Sequence, residues 1–514
     1  MATYNEQLIP EYQGNPLIEA LPPIWTRAEV TRLLAQFPPY SAEQRRLPAH
    51  LRLHLIENAR EFFIPQGIHL EIEMRISCML RRGLQQRNPM EWFYWSKLDE
   101  RIASLQARPN GKIFSPPNAR GFAIVGISGM GKTTAVANVL SLYPQVITHG
   151  RYRQQDLILQ QIVWLKLDCP LDGSTKGLCL NFFQAVDDLL GTDYYDRYTG
   201  GGRRTVDDLL PRMARVASLH CLGVLVIDEI QNLSEAKSGG SAKMLNFFVQ
   251  LENTIGVPFI LIGTPKAIPA LSGEFRQARR ATEQGDVYWE RMRETTTDTG
   301  GGGNKRADPV WEEFIRALWD YQYLRQKTSL KADLSSDALS HALYDESQGI
   351  TAVAVTLYLL AQRRAINSET EKITVGLIRS VARDSQHLIG PMLNQLKLES
   401  HRRSRGIGNL ADLDTGALAS DRAFLSKTSD IAAAPSKSSK SGTARRKADL
   451  APLSEPTAVT SQSARRKKAA SDESETAYGE EDLRRLSVEA EKTNRAESPS
   501  HNRHIRSAAE NFDE

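Results

Sequence analysis

Cysteine is scarce in this 514-residue chain: four thiols, Cys78, Cys169, Cys179 and Cys221, with no Cys-x-x-Cys pair among them. That spacing excludes a disulfide-stapled scaffold and a zinc-ligand set, and the four are expected to be buried, reduced thiols of an intracellular protein. Long hydrophobic runs are also missing. No stretch of about 18 apolar residues occurs, so no membrane-spanning segment is expected. Residues Met1 to Gly14 are polar and carry no apolar core of a secretory leader, so none is expected there. A charge imbalance is lacking too: 65 Lys and Arg face 61 Asp and Glu, a net +4, which neither demands nor excludes nucleic acid. No internal repeat is visible. What remains is an ordinary globular composition, 41% hydrophobic, with length for roughly two to four domains.

Composition divides the chain. Residues 1–115 bear Pro and Arg with short apolar patterns, and helices are expected at Leu51–Phe63 and Leu70–Leu84. Ser115–Asn118 reads as a turn or linker. Residues 116–298 alternate helical stretches with short, β-branched apolar runs: Phe122–Val125, Ile162–Leu167, Val224–Ile227 and Phe259–Ile262. Such runs suit strands buried on both faces of a parallel sheet, so the fold class is α/β. Residues 299–308, with Gly300–Gly303, read as a flexible Gly-rich loop within Thr295–Asp308. From 309 to 398 the pattern is helical only, with candidates at 309–327, 335–347, 351–366 and 374–386, a small all-α domain. Residues 399–514 are rich in Ser, Ala, Lys, Arg and Asp, and bury too little apolar surface to offset ordering entropy; a disordered charged tail is expected.

The sharpest motif is Gly126-Ile-Ser-Gly-Met-Gly-Lys-Thr133, which fits the phosphate-loop pattern G-x-x-x-x-G-K-[ST]. Gly126, Gly129 and Gly131 let the backbone curl so that N–H groups, those of Ser128 and Met130 included, converge on phosphate oxygens. Lys132 adds a point charge at the outer phosphates, Thr133 offers a hydroxyl to Mg²⁺, and the helix expected from Thr134 aims its positive end at the same anion. A second motif, Gly223-Val-Leu-Val-Ile-Asp228-Glu229, is an apolar strand ending in two acids. Asp228 is the candidate metal holder and Glu229 the residue that polarises an attacking water, as phosphoryl transfer to water requires. Together the two motifs indicate a Mg²⁺-dependent ATPase with ATP as its nucleotide.

Two further elements are more open. Thr264, after the run Phe259–Gly263, either reaches the γ-phosphate or caps a helix before Pro265. The cluster Arg276, Arg279 and Arg280, followed by Arg291 and Arg293, supplies a guanidinium to a neighbouring subunit's transition state, with Arg279 and Arg280 the candidates, or is a solvated basic face or DNA contact.

At these residues the chain resembles the AAA+ ATPases, and among them the TnsC regulators of Tn-seven-type transposons, with TniB proteins more distant. The matching stretches are Asn15–Pro23, Tyr143–Ile147, Leu178–Phe183, Leu222–Gln231, Met244–Phe248, Ile255–Pro258, Leu261–Lys266 and Ala278–Arg280. The resemblance spans residues from about 10 to about 395. It implies an AAA+ sheet with a helical lid at 309–398, oligomerisation on duplex DNA as a ring or helical filament, and a cytoplasmic, prokaryotic, DNA-associated setting. It also implies partners: a TnsD- or TniQ-type target selector, docking on the N-terminal region, and a TnsA/TnsB-type transposase. Insertion would be activated by the ATP-bound assembly and hydrolysis would drive its turnover. CRISPR guidance occurs in some such elements and is not legible here. Another DNA-associated AAA+ protein, of helicase-loader or clamp-loader type, is the alternative. The usual lid arginine shortly after a glycine is absent from Gly349-Ile-Thr-Ala-Val, and Arg363 and Arg364 lie later.

Sequence-neutral duplex binding needs cations and hydroxyls on phosphates. Thr175 and Lys176, in the loop opening a helix, and Arg203 and Arg204, after Gly200–Gly202, are the candidates, with solvated loop charge as the plain alternative. In the tail, Arg445–Lys447 and Arg465–Lys468 are short basic runs balanced by acids nearby.

Overall fold

The computed structural model describes residues 1–91, 94–95, 121–200, 205–235, 256–268, 286–297, 305–330, 338–387 and 389–404. Its centre is a five-stranded sheet of β1 (Phe122–Gly126), β4 (Trp164–Asp168), β5 (Val224–Asp228), β6 (Phe259–Gly263) and β7 (Val287–Trp289), in the order β4-β5-β6-β1-β7. Every pairing in it is parallel. The three inner strands β5, β6 and β1 are buried at every residue, which is why their sequences are continuous apolar runs.

Side chains alternate between the two faces with a period of two. Phe122, Ile124, Val224, Val226, Ile260 and Ile262 enter one core, whereas Ala123, Val125, Leu225, Ile227, Phe259 and Leu261 enter the other. The second core is closed by α6 (Thr175–Leu190), which contributes Phe182 and Phe183, and by α8 (Val206–Leu219). Between them lies the short α7 (Tyr194–Thr199). The first core is closed by α5 (Lys132–Ser141) together with the N-terminal helices α1 (Pro16–Glu19), α2 (Arg27–Leu34) and α4 (Gly67–Gln85). The N-terminal segment therefore supplies one wall of the sheet's own core. Another part of it, α3 (Ala49–Leu55) and residues 56–64, packs with the later helices. These are α9 (Pro309–Trp319), α10 (Ala338–Ser347), α11 (Thr351–Asn367) and α12 (Val375–Ser385), which share a third core around Trp311, Tyr358 and Ile378. A final helix, α13 (Gly390–Ser404), follows.

The elements differ from the sequence expectations in definite places. The single strand expected at Ile162–Leu167 is two. A hairpin of β2 (Val146–Tyr152) and β3 (Gln155–Ile162) pairs antiparallel outside the main sheet, and β4 starts only at Trp164, after Val163. The three-residue β7 is too short to show a period. The loop expected at Thr295–Asp308 carries paired strands, β8 (Thr295–Thr297) and β9 (Lys305–Ala307); Gly300–Gly303 lie outside the described residues. The helix expected to reach residue 327 stops at Trp319, where the backbone turns aside around Gln322, whose amide donates to the carbonyls of Trp319 (3.2 Å) and Thr328 (2.8 Å). Helix α13 crosses the expected tail boundary and runs to Ser404. Of the four free thiols, Cys169, Cys179 and Cys221 are buried, but Cys78 is only half-buried. Among the described residues no helix is long and apolar enough to cross a membrane.

Candidate functional site

Parallel strands end together, so a register fixes what shares their carboxyl edge. Asp168 is aligned with Asp228, Val125 with Gly263, and Gly126 with Trp289. The phosphate loop leaves β1 at Gly126 and enters α5 at Lys132, directly above this edge. Gly129 and Gly131 hold φ of 83° and 87°, left-handed conformations that a side chain disfavours. The helix expected to start at Thr134 begins two residues earlier, at Lys132.

A cavity of about 420 Å³ opens between the loop, the strand ends and α11. Ser128, Gly129, Met130, Gly131, Lys132, Thr133, Thr134, Asp228, Glu229 and Thr264 all line it. The structure thus brings together every candidate from the two motifs except Gly126, which stands just behind, its carbonyl held by Lys132. The Lys132 ammonium donates to the carbonyls of Gly126 (2.8 Å) and Ile127 (2.9 Å). Burial lowers its pKa, and the charges of Asp228 and Glu229 act in the opposite sense. Thr133 Oγ1 donates to Asp228 Oδ2 at 2.8 Å. Asp228 is buried, and its other oxygen accepts the N–H of Glu229 at 2.8 Å.

Glu229 is exposed and sits at φ 56°, in the left-handed region despite its side chain. Such a conformation costs about 1–3 kcal/mol and persists only where its surroundings impose it. Gln231 bridges the two adjacent strand ends: its amide nitrogen donates to Glu229 Oε2 and its oxygen accepts the N–H of Thr264 at 3.1 Å. The Thr264 side chain makes no capping bond to the short helix that follows. Its hydroxyl is buried with no hydrogen-bond partner among the described residues, and the residue lines the cavity. An orphaned hydroxyl in that position suits a ligand oxygen better than a helix cap.

Residues the sequence did not single out form further parts of the wall. Arg60, Phe62, Phe63, Ile64, Gln66 and His69 come from the N-terminal segment, Trp289 from β7, and Phe314, Thr351 and Val355 from the helical part. The His69 ring lies 4.8 Å from Phe63 and 5.3 Å from Trp289, centroid to centroid. Its Nδ1 accepts the Gln66 N–H at 2.8 Å, and burial pushes its pKa down to about 3. The aromatic residues here suit a flat heterocycle, and the loop suits its phosphates. No sequence signal marked those aromatic residues, because they come from segments more than two hundred residues apart.

The helical part is tied to the loop directly. Gly129 O accepts from the Thr351 hydroxyl (3.0 Å) and from the Ala352 N–H (3.1 Å) at the start of α11. Gly349 makes the approach possible: φ is 73°, and a Cβ there would meet Met292 O at 2.1 Å. The later arginines do not line the cavity. Arg363 pairs with Glu57 (2.6 Å) and Arg364 with Asp384 (2.7 Å). Arg291 donates to Gln348 and to the Leu396 carbonyl of its own chain, and Arg293 pairs with Glu290. Arg276, Arg279, Arg280, Arg203 and Arg204 lie outside the described residues. Thr175 and Lys176 are the first residues of α6, partly exposed, with Ser174 capping the helix through the Gly177 N–H (3.1 Å).

A magnesium ion fits the donors present. Thr133 Oγ1 and Asp228 Oδ2 are hard oxygens in contact at the phosphate end, and Mg²⁺ binds through one or two carboxylates with substrate phosphates and retained waters. No cluster of three His, Cys, Asp or Glu residues suited to an all-protein metal cage occurs among the described residues.

Residues 118–271 match the family model of the AAA domain. The chain carries an AAA-type ATPase domain, and as an enzyme it is an ATPase. Among solved structures it is similar to the ORC2 protein of Aeropyrum pernix in its ADP form, at 12% identity and TM-score 0.32, over 57% of this chain and 67% of that one. It is similar to Cdc6p of Pyrobaculum aerophilum, at 11% identity and TM-score 0.33, over 58% and 67%. It is also similar to the Drosophila ORC bound to DNA, at 9% identity and TM-score 0.31, over 68% and 84%. No curated protein matches the chain.

Proposed function

We propose that this protein is a TnsC-type regulator of transposition: an ATPase that assembles with copies of itself on duplex target DNA, receives a target selector and activates a transposase. The observation that carries the nucleotide half is the Thr133–Asp228 hydrogen bond in a cavity also lined by Lys132 and by the aromatic residues Phe62, Phe63, His69 and Trp289. The transposition half is supported by the stretches Asn15–Pro23, Leu178–Phe183 and Leu222–Gln231, which resemble that family.

In this reading the loop N–H groups and Lys132 grip the phosphates. Lys132 must first leave the Gly126 and Ile127 carbonyls, so phosphate binding exchanges two neutral acceptors for charged ones. Thr133 and Asp228 hold Mg²⁺, which neutralises charge on the phosphates when bound. Glu229 orients a water for attack on the γ-phosphoryl group and accepts its proton, with ADP leaving. Thr264 supplies its unused hydroxyl to the γ-phosphate. Residues 1–115 and 309–398 act as selector-docking region and lid, and an arginine among Arg279 and Arg280 acts across the subunit boundary. Thr175, Lys176, Arg203 and Arg204 meet DNA phosphates without reading bases.

Electron microscopy with duplex DNA and a non-hydrolysable ATP analogue tests the reading. Ordered rings or filaments on DNA are expected, and Lys132→Ala is expected to abolish them along with nucleotide binding. Glu229→Gln is expected to assemble normally while phosphate release falls about a hundredfold or more. Free DNA in the presence of bound nucleotide would reject the transposition role and leave the ATPase assignment standing.

A further inference from the structure

Asp228 Oδ2 carries one partner more than the motif requires. Besides the Thr133 hydroxyl at 2.8 Å, the Lys166 ammonium sits 3.1 Å away. Lys166 is on β4, two residues before the strand end, and reaches the neighbouring strand because β4 and β5 pair in parallel, with Lys166 level with Val226 and Asp168 level with Asp228. Its ammonium also contacts Asp168 Oδ1 at 3.4 Å. The lysine side chain is 26% exposed, Asp228 4% and Asp168 73%. The buried carboxylate therefore has a fixed cation of the protein's own against it, on the oxygen that also receives the Thr133 hydroxyl. Both contacts are ion pairs of a lysine ammonium, the form the side chain holds at neutral pH.

We propose that Lys166 is a tethered counter-cation of Asp228 that sets the magnesium concentration at which the nucleotide site fills. With no divalent ion present, the ammonium neutralises the buried carboxylate and keeps it aimed at Thr133. A metal ion arriving at Thr133 meets a carboxylate already partly neutralised and a like charge close by. Its affinity is lower than that of a site with a bare aspartate, and the site responds to free Mg²⁺ over a higher range. Asp168 shares the same ammonium and so weakens its hold on Asp228. Lys166 is thus a positioning and tuning residue, outside the cavity lining and acting through Asp228. This inference rests on the Mg·ATP reading of the site.

The test is a Mg²⁺ titration of fluorescent ATP-analogue binding to the full chain, scored by the midpoint, with thermal melting followed in parallel without nucleotide. Lys166→Met is expected to lower the magnesium midpoint at least threefold and to lower the melting temperature of the nucleotide-free protein. Lys166→Arg is expected to keep the wild-type midpoint. Asp168→Asn, at an exposed site that folding tolerates, is expected to raise the midpoint in the wild-type background and to leave it nearly unchanged in the Lys166→Met background. A plain surface-charge effect would instead shift both backgrounds equally. An unchanged or raised midpoint in Lys166→Met overturns the proposal. Should that variant fail to fold, equal Asp168→Asn shifts in the wild-type and Lys166→Gln backgrounds overturn it. Wild-type protein that binds no analogue at any Mg²⁺ concentration rejects the ATP reading itself, a separate result.

Discussion

His69 illustrates how a buried titratable group links the nucleotide cavity to stability. Its Nδ1 accepts a hydrogen bond from Gln66, which only the unprotonated nitrogen can do, and burial takes its pKa from 6.5 to about 3. Between those values the unfolded chain binds a proton that the folded chain refuses, so stability falls as pH drops through the window. Above about 6.5 the residue contributes no slope. His69→Asn, which keeps an acceptor and removes the titration, is expected to flatten the pH dependence of unfolding between about 6 and 4 by up to about 1.4 kcal/mol per pH unit. Denaturation at several pH values, wild type against variant, reads it directly. The sequence showed the phosphate loop residues because Gly126 to Thr133 are contiguous and their chemistry forces their spacing. It did not show His69, Gln231 or Lys166, whose roles come from partners on other strands and helices: Trp289, Thr264 and Asp228.

At the scale of elements, the join between the sheet domain and α11 depends on one residue without a side chain. Gly349→Ala places a Cβ at a left-handed φ and against Met292 O, the acceptor of the Tyr344 hydroxyl. A loss of about 2 kcal/mol or more is expected by chemical denaturation, beyond what a compatible Gly-to-Ala change would give. Substitution at Gly376, where a Cβ would meet only Thr374 Oγ1 at 4.0 Å, is the control. The inner strands β1, β5 and β6 were legible because burial on both faces forces unbroken apolar runs. The β2–β3 hairpin was not, since one face is wet: Ile158 is 93% exposed on it, and its alternation merged with the start of β4. Nor was β7, whose three residues are placed by β1 and not by any pattern of their own.

For the whole molecule, the proposed DNA-bound assembly is the property to measure. On that proposal Lys176→Ala is expected to weaken binding equally across unrelated duplex sequences and to reduce the salt slope by about one phosphate. A slope equal to wild type would move Lys176 off the DNA path. Among the described residues the N-terminal segment is no separate body: Leu17, Ile18, Ile72 and Ile76 share a core with β1 and β6, and Phe62 shares one with Phe314. The same integration governs how the cavity opens. Gly129 O receives both Thr351 and Ala352, so one loop carbonyl ties the phosphate loop to the start of α11. Any outward swing of α11 must undo that fastening before the occupant can escape.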